Sequence, residues 1–114
     1  MISQEQIQEL DERLEALRGY LDIEEKKILI HNQEEKTAAP EFWNDHEAAE
    51  AVMRKIRGLK YWVETFETAM EQREELILAV EFHELGEMEA SEVEKLYNGI
   101  TKIIEALEFK NMLS

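Results

Sequence analysis

The chain has 114 residues, 44% of them hydrophobic and 35% charged, with one proline, four glycines and no cysteine. This length suits one small domain, the composition suits helices, and the missing cysteine excludes disulfides and thiolate metal sites. A net charge of −14, from 27 acids against 13 bases, excludes a general affinity for nucleic acid or anionic lipid and favours a basic partner.

The first segment carries Ile7, Leu10, Leu14, Leu17 and Leu21 at alternating spacings of three and four. Such spacing predicts a helix with one apolar seam. Its regularity fails after Leu21, where Ile23, Ile28, Leu29 and Ile30 share no clean stripe. Asp22 with Glu25 reads as a capping box opening a second helix. A break or kink is expected within residues 19–22, with Gly19 suited to closing the first helix in a left-handed conformation, the alternative being an uninterrupted helix.

Pro40 is expected to stop the second helix near Ala38. In "PEFWND", Asn44 with Glu47 reads as the cap of a third helix, and Phe42 and Trp43 read either as a plug on one end of a bundle or as interface anchors. The third helix is predicted from about Asp45 to about Leu85, roughly 60 Å at 1.5 Å per residue. Its seam is Ala49, Val52, Ile56, Leu59, Val63, Phe66, Met70, Ile77 and Val80, with Arg73 as the polar interruption. Gly86 is expected to end it. Ser91 with Glu94 is read as the cap of a fourth helix with seam Val93, Leu96, Ile100, Ile103 and Leu107. One domain over 1–114 is expected, an all-α antiparallel bundle of three to four helices.

Nothing in this pattern resembles an active site. His31, His46 and His83 lack metal-ligand spacing, the glycines do not cluster into a phosphate loop, and Ser3, Ser91 and Ser114 lie in no nucleophile context. No metal, cofactor or catalytic residue is expected. The segment "MRKIRGLKYW" does gather Arg54, Lys55, Arg57 and Lys60 beside Tyr61 and Trp62. At 100° per residue Arg54, Arg57, Gly58 and Tyr61 share the face opposite the seam. That face reads as a solvated surface or as a docking patch for phosphate backbone, with Arg54, Arg57 and Tyr61 as its contact residues. Residues 64 to 94 hold eleven acids and one base, Arg73, so one end of the chain is strongly acidic.

"LRGYLDIEEKK", "AAPEFWNDHEAAEAVMRKI" and "LEFKNMLS" together resemble the opening domain of the bacterial peptide chain release factor two family, over nearly the whole chain and in the same order. The resemblance implies an all-helical domain of a cytoplasmic protein that docks on the ribosome near the GTPase-associated centre, against the stalk-base protein and rRNA. A functional link to the GTPase release factor three is implied as well. Full-length members read UGA and UAA with a Ser-Pro-Phe tripeptide and trigger peptidyl-tRNA hydrolysis with Gly-Gly-Gln. Neither motif occurs in these residues, so no enzymatic activity is expected of them. Charge assigns the acidic end to a basic ribosomal protein and the Arg54–Tyr61 face to rRNA. Many genes of this family carry an in-frame UGA that is passed by a +1 shift, and Arg18 to Asp22 spell the product of such a site. A generic antiparallel coiled-coil scaffold shows the same seams but has no need of "PEFWND" or "LRGYLD".

Overall fold

Four α-helices and one 3-10 turn account for almost every residue of the chain, of which a computed structural model describes residues 1–114. Helix α1, Gln4–Leu21, opens on a reciprocal cap not anticipated from the sequence. The Ser3 Oγ accepts the Gln6 N–H at 3.1 Å, and the Gln6 Oε1 accepts the Ser3 N–H at 2.9 Å. Two amides that have no partner within the helix are thereby satisfied. All five seam leucines and isoleucines of α1 are buried.

The break expected within residues 19–22 is present, and it falls at Asp22 with Gly19 still helical. Asp22 adopts φ 51°, ψ 54°, a left-handed conformation that Asp tolerates better than most residues. Its carbonyl accepts the Lys26 N–H at 3.0 Å and so starts α2, Ile23–Lys36. The capping box with Glu25 does not form, because a capping side chain is presented from extended backbone and Asp22 is left-handed. Gly19 lies inside α1, with no heavy atom within 4 Å of the position a Cβ would take.

Pro40–Asn44 forms a 3-10 turn, η1, with proline at its start and Ala39 extended before it. Because the turn consumes Asn44, the cap of the long helix moves one residue on. The Asp45 Oδ1 accepts the Ala48 N–H at 3.1 Å, and α3 runs over His46–Glu84, 39 residues and about 58 Å long. It ends as expected at Gly86, whose φ is +77°. The Glu87 N–H reaches the Phe82 carbonyl at 2.8 Å and the Gly86 N–H reaches that of His83 at 2.9 Å, the two bonds of a Schellman motif. Helix α4, Ala90–Leu113, starts from an extended Glu89. Ser91 therefore lies within its first turn, and no side-chain cap forms.

The chain divides into two compact units. One comprises Met1–Leu21 and Thr65–Ser114, and it is a three-helix bundle of α1, the second half of α3, and α4. Arg18 stacks its guanidinium 5.0 Å from the Phe66 ring centre while Asp11 bonds Arg73, so α1 runs antiparallel to α3. The Met1 amino group lies 3.5 Å from Glu94, and Arg13 bonds Glu108 at 2.6 Å, so α1 and α4 run parallel to each other. The bundle interior holds Leu10, Leu14, Leu17, Phe66, Leu76, Val93, Ile100, Ile104 and Leu107, each at 2% exposure or less. Two seams are corrected in register. Leu76 and Ala79 are buried where Ile77 and Val80 were expected, and Ile104 is buried where Ile103 was expected. Ala69 and Ala79 are buried on this stripe, where small side chains allow neighbouring helices to approach closely.

The other unit, Asp22–Glu64, holds α2, η1 and the first half of α3 around Ile23, Ile30, Ala49, Ile56 and Val63. Its α2 and α3 are joined across the solvent edge by Lys60 Nζ on Glu34 Oε2 at 2.9 Å and by Lys26 above the Trp62 ring. Leu59 is only half-buried here, at the edge of the stripe.

Candidate functional site

The first half of α3 buries Ile56 and Val63, which fixes the rotation of the helix and sends Arg54, Arg57, Gly58 and Tyr61 to the exposed side. The structure thus brings together on one face all three residues singled out as contacts, Arg54, Arg57 and Tyr61. Electrostatically they are not equivalent. The Arg57 Nη2 donates to the Glu50 Oε1 at 2.9 Å, two turns earlier on the same face. Lys60 is tied to Glu34, and that hydrogen bond, reinforced by the charge of the carboxylate, raises its pKa. Arg54 and Lys55 have no carboxylate partner. Two of the four cations gathered by the sequence are therefore neutralised locally, and the positive charge available to a partner is concentrated at Arg54 and Lys55.

Tyr61 is 40% exposed and meets Trp62 edge to face, with ring centres 5.8 Å apart. Gly58, between the arginines and the tyrosine, has open space where a side chain would stand. The face therefore presents two guanidinium groups and a phenol around bare helical backbone. Groups of this kind contact phosphate oxygens or the polar rim of a protein, and none of them is a nucleophile poised beside a base.

Phe42 and Trp43 are neither a plug nor part of this face. Trp43 is 52% exposed, its Nε1–H donates to the Thr37 carbonyl at 3.1 Å, and Phe42 packs edge to face on it at 4.7 Å. The pair clasps η1 to the end of α2, so a local tertiary hydrogen bond takes the place of bundle packing.

The histidines stay apart. His31 lies against Glu35, His46 opens α3, and the His83 Nδ1–H donates to the Met88 carbonyl at 2.8 Å within the turn after α3. No group of three His, Asp or Glu side chains is placed to hold a metal ion, and no helix is long and apolar enough to cross a membrane. At the acidic end Arg73 is already committed. It donates to Asp11 through two nitrogens and to Glu74 through a third, and the Asp11 hydrogen bonds, foremost among the causes, raise its pKa further above the usual arginine value.

The PCRF domain family matches residues 25–114. The peptide chain release factor 2 of Tolumonas auensis is 33% identical over 110 residues, covering 95% of this chain and 30% of the relative. That of Proteus mirabilis is 34% identical over 112 residues with the same coverage, and that of Listeria innocua is 28% identical over 111 residues. The chain spans about 30% of the length of these curated relatives. No solved structure matches it.

Proposed function

The chain belongs to the PCRF domain family, and from that premise we propose that it is the ribosome-docking helical domain of a class I peptide chain release factor. In this reading the full-length protein acts in the cytoplasm, terminates translation at UGA and UAA, and triggers peptidyl-tRNA hydrolysis through segments other than these. The observation that carries the reading is similarity to release factor 2 along 95% of a chain whose own residues include neither Gly-Gly-Gln nor Ser-Pro-Phe. What remains for such a domain is binding. Its partners in this reading are the stalk-base protein and rRNA near the GTPase-associated centre, with a functional link to the GTPase release factor three. Arg54, Arg57 and Tyr61 supply the rRNA contacts. Their common exposed face and the unpaired charge of Arg54 support that assignment.

The test is binding of the 114-residue chain to ribosomes carrying UGA in the decoding site. Binding that an excess of full-length release factor 2 displaces, with no release of formyl-methionine by the chain alone, is the expected result. Failure of the chain to bind, or binding that the factor does not compete, would overturn the docking role.

The same premise bears on the message. Gly19 has helical backbone and open space around it, so the fold makes no demand for glycine there. This supports the reading that Arg18-Gly19-Tyr20-Leu21-Asp22 is retained as the product of a +1 frameshift site, where the nucleotides constrain the residues.

A further inference from the structure

The last turns of α3, and Leu85 just after them with its N–H still on the Glu81 carbonyl at 3.1 Å, carry an apolar stripe that faces solvent. Leu78, Phe82 and Leu85 are 53%, 43% and 70% exposed. Their spacings of four and three place them within an arc of about 60° on one side of the helix. Scattered exposed leucines are ordinary, but three in succession along one face have the spacing of anchors in helix-to-helix recognition. The same face continues backward through the exposed Glu71, Glu74 and Glu75, and Glu81 borders it. Glu74 is held by Arg73, whereas Glu71, Glu75 and Glu81 have no cation beside them. Arg73, the one base between residues 64 and 94, is engaged by Asp11 and Glu74 and pairs with none of Glu71, Glu75 and Glu81.

This combination selects among occupants. A second copy would set uncompensated glutamates against each other, and nucleic acid or an anionic bilayer would be repelled in the same way. A protein surface with apolar residues bordered by Lys and Arg satisfies both parts of the face, its apolar side on Leu78, Phe82 and Leu85 and its cations on the glutamates. We propose that Leu78, Phe82 and Leu85, flanked by Glu71, Glu75 and Glu81, form a docking stripe for a basic amphipathic helix of a partner protein. The stripe stands on this face alone and holds whether or not that partner is ribosomal.

The probe is a labelled Lys–Leu peptide about five helical turns long, with its leucines on one face, compared with a peptide of identical composition in scrambled order. Anisotropy with the 114-residue chain should give saturable binding about tenfold tighter for the amphipathic peptide, and Leu78→Ser with Phe82→Ser should remove about that advantage. Amide shifts on binding should centre on residues 71–85. Circular dichroism should leave the helix content of the variant unchanged, and Leu85→Ser serves as an independent second variant. Equal affinity for the two peptides would reduce the face to a bulk acidic field and overturn the proposal. So would absence of binding, amide shifts centred elsewhere, or a dimer in sedimentation equilibrium that Phe82→Ser disperses. The assay contains no ribosome, so its failure leaves the ribosomal reading to its own test.

Discussion

Arg73 on α3 grips both carboxylate oxygens of Asp11 on α1, Nε to Oδ1 at 2.7 Å and Nη2 to Oδ2 at 2.8 Å. This bidentate pair occupies the one polar position in the α3 seam and lies at the edge of the bundle, where both side chains keep some contact with water. Partial exposure limits its strength, and a double-mutant cycle on Arg73→Ala and Asp11→Ala should give a coupling of about 1 kcal/mol. A coupling indistinguishable from zero in urea unfolding would mean that the pair only decorates the surface.

The bundle interior makes a sharper demand. Phe66 is 1% exposed, and Phe66→Ala should cost about 3–5 kcal/mol in chemical denaturation. Leu59 is half-buried, so Leu59→Ala should fall below the roughly 2–5 kcal/mol of a fully buried leucine. If the two variants were equally destabilised, the stripe of α3 would be centred differently from the structure.

Two glycines should respond in opposite directions. Gly19→Ala, in a helix with open space, should stabilise by about 0.5–1 kcal/mol. At Gly86, with φ of +77°, the same change should destabilise by about 1 kcal/mol or more. Thermal or urea midpoints moving the same way for both would contradict the backbone described here.

On the proposed docking face the local pairing ranks the arginines. Arg57 already spends its charge on Glu50, so Arg54→Glu in the full-length protein should weaken ribosome binding more than Arg57→Glu. The loss should shrink as salt is raised, and helix content should not change. Association rates at low salt that neither substitution alters would return this face to plain solvent.

The genomic DNA offers a test independent of the protein. A UGA directly after the Leu21 codon, passed by a +1 shift, is the expected arrangement. Sequencing that finds an uninterrupted frame through codons 18 to 22 would leave the glycine at position 19 without an explanation, since the fold does not require it.

Much of this protein was legible in one dimension. The seam from Ile7 to Leu21, the reach of α3, its stop at Gly86 and the all-α class follow from local spacing and from glycine's tolerance of positive φ, and the structure bears them out. The resemblance to release factor two, carried by "LRGYLDIEEKK" and "PEFWND", is borne out by the family match. Caps were less legible. Asp22, Asn44 and Ser91 all have capping side chains, but capping also requires an extended backbone at that residue, and Asp22 is left-handed, Asn44 lies in the 3-10 turn and the extended residue before α4 is Glu89.

Only the tertiary structure decided which of two adjacent apolar residues turns inward. Leu76 and Ala79 win over Ile77 and Val80 because a neighbouring helix, absent from any local window, sets the space available. It also decided that α1 and α4 run parallel, and that Arg73 belongs to Asp11 and Arg13 to Glu108, partners 62 and 95 residues away in the chain. The candidate docking face divides in the same way. Helical periodicity alone put Arg54, Arg57 and Tyr61 on one side of α3, whereas Lys60 lost its free charge to Glu34 of α2, a carboxylate that periodicity within α3 does not register. Spacing along a chain fixes which side chains share a face; which charges on that face stay uncompensated depends on what the fold brings beside it.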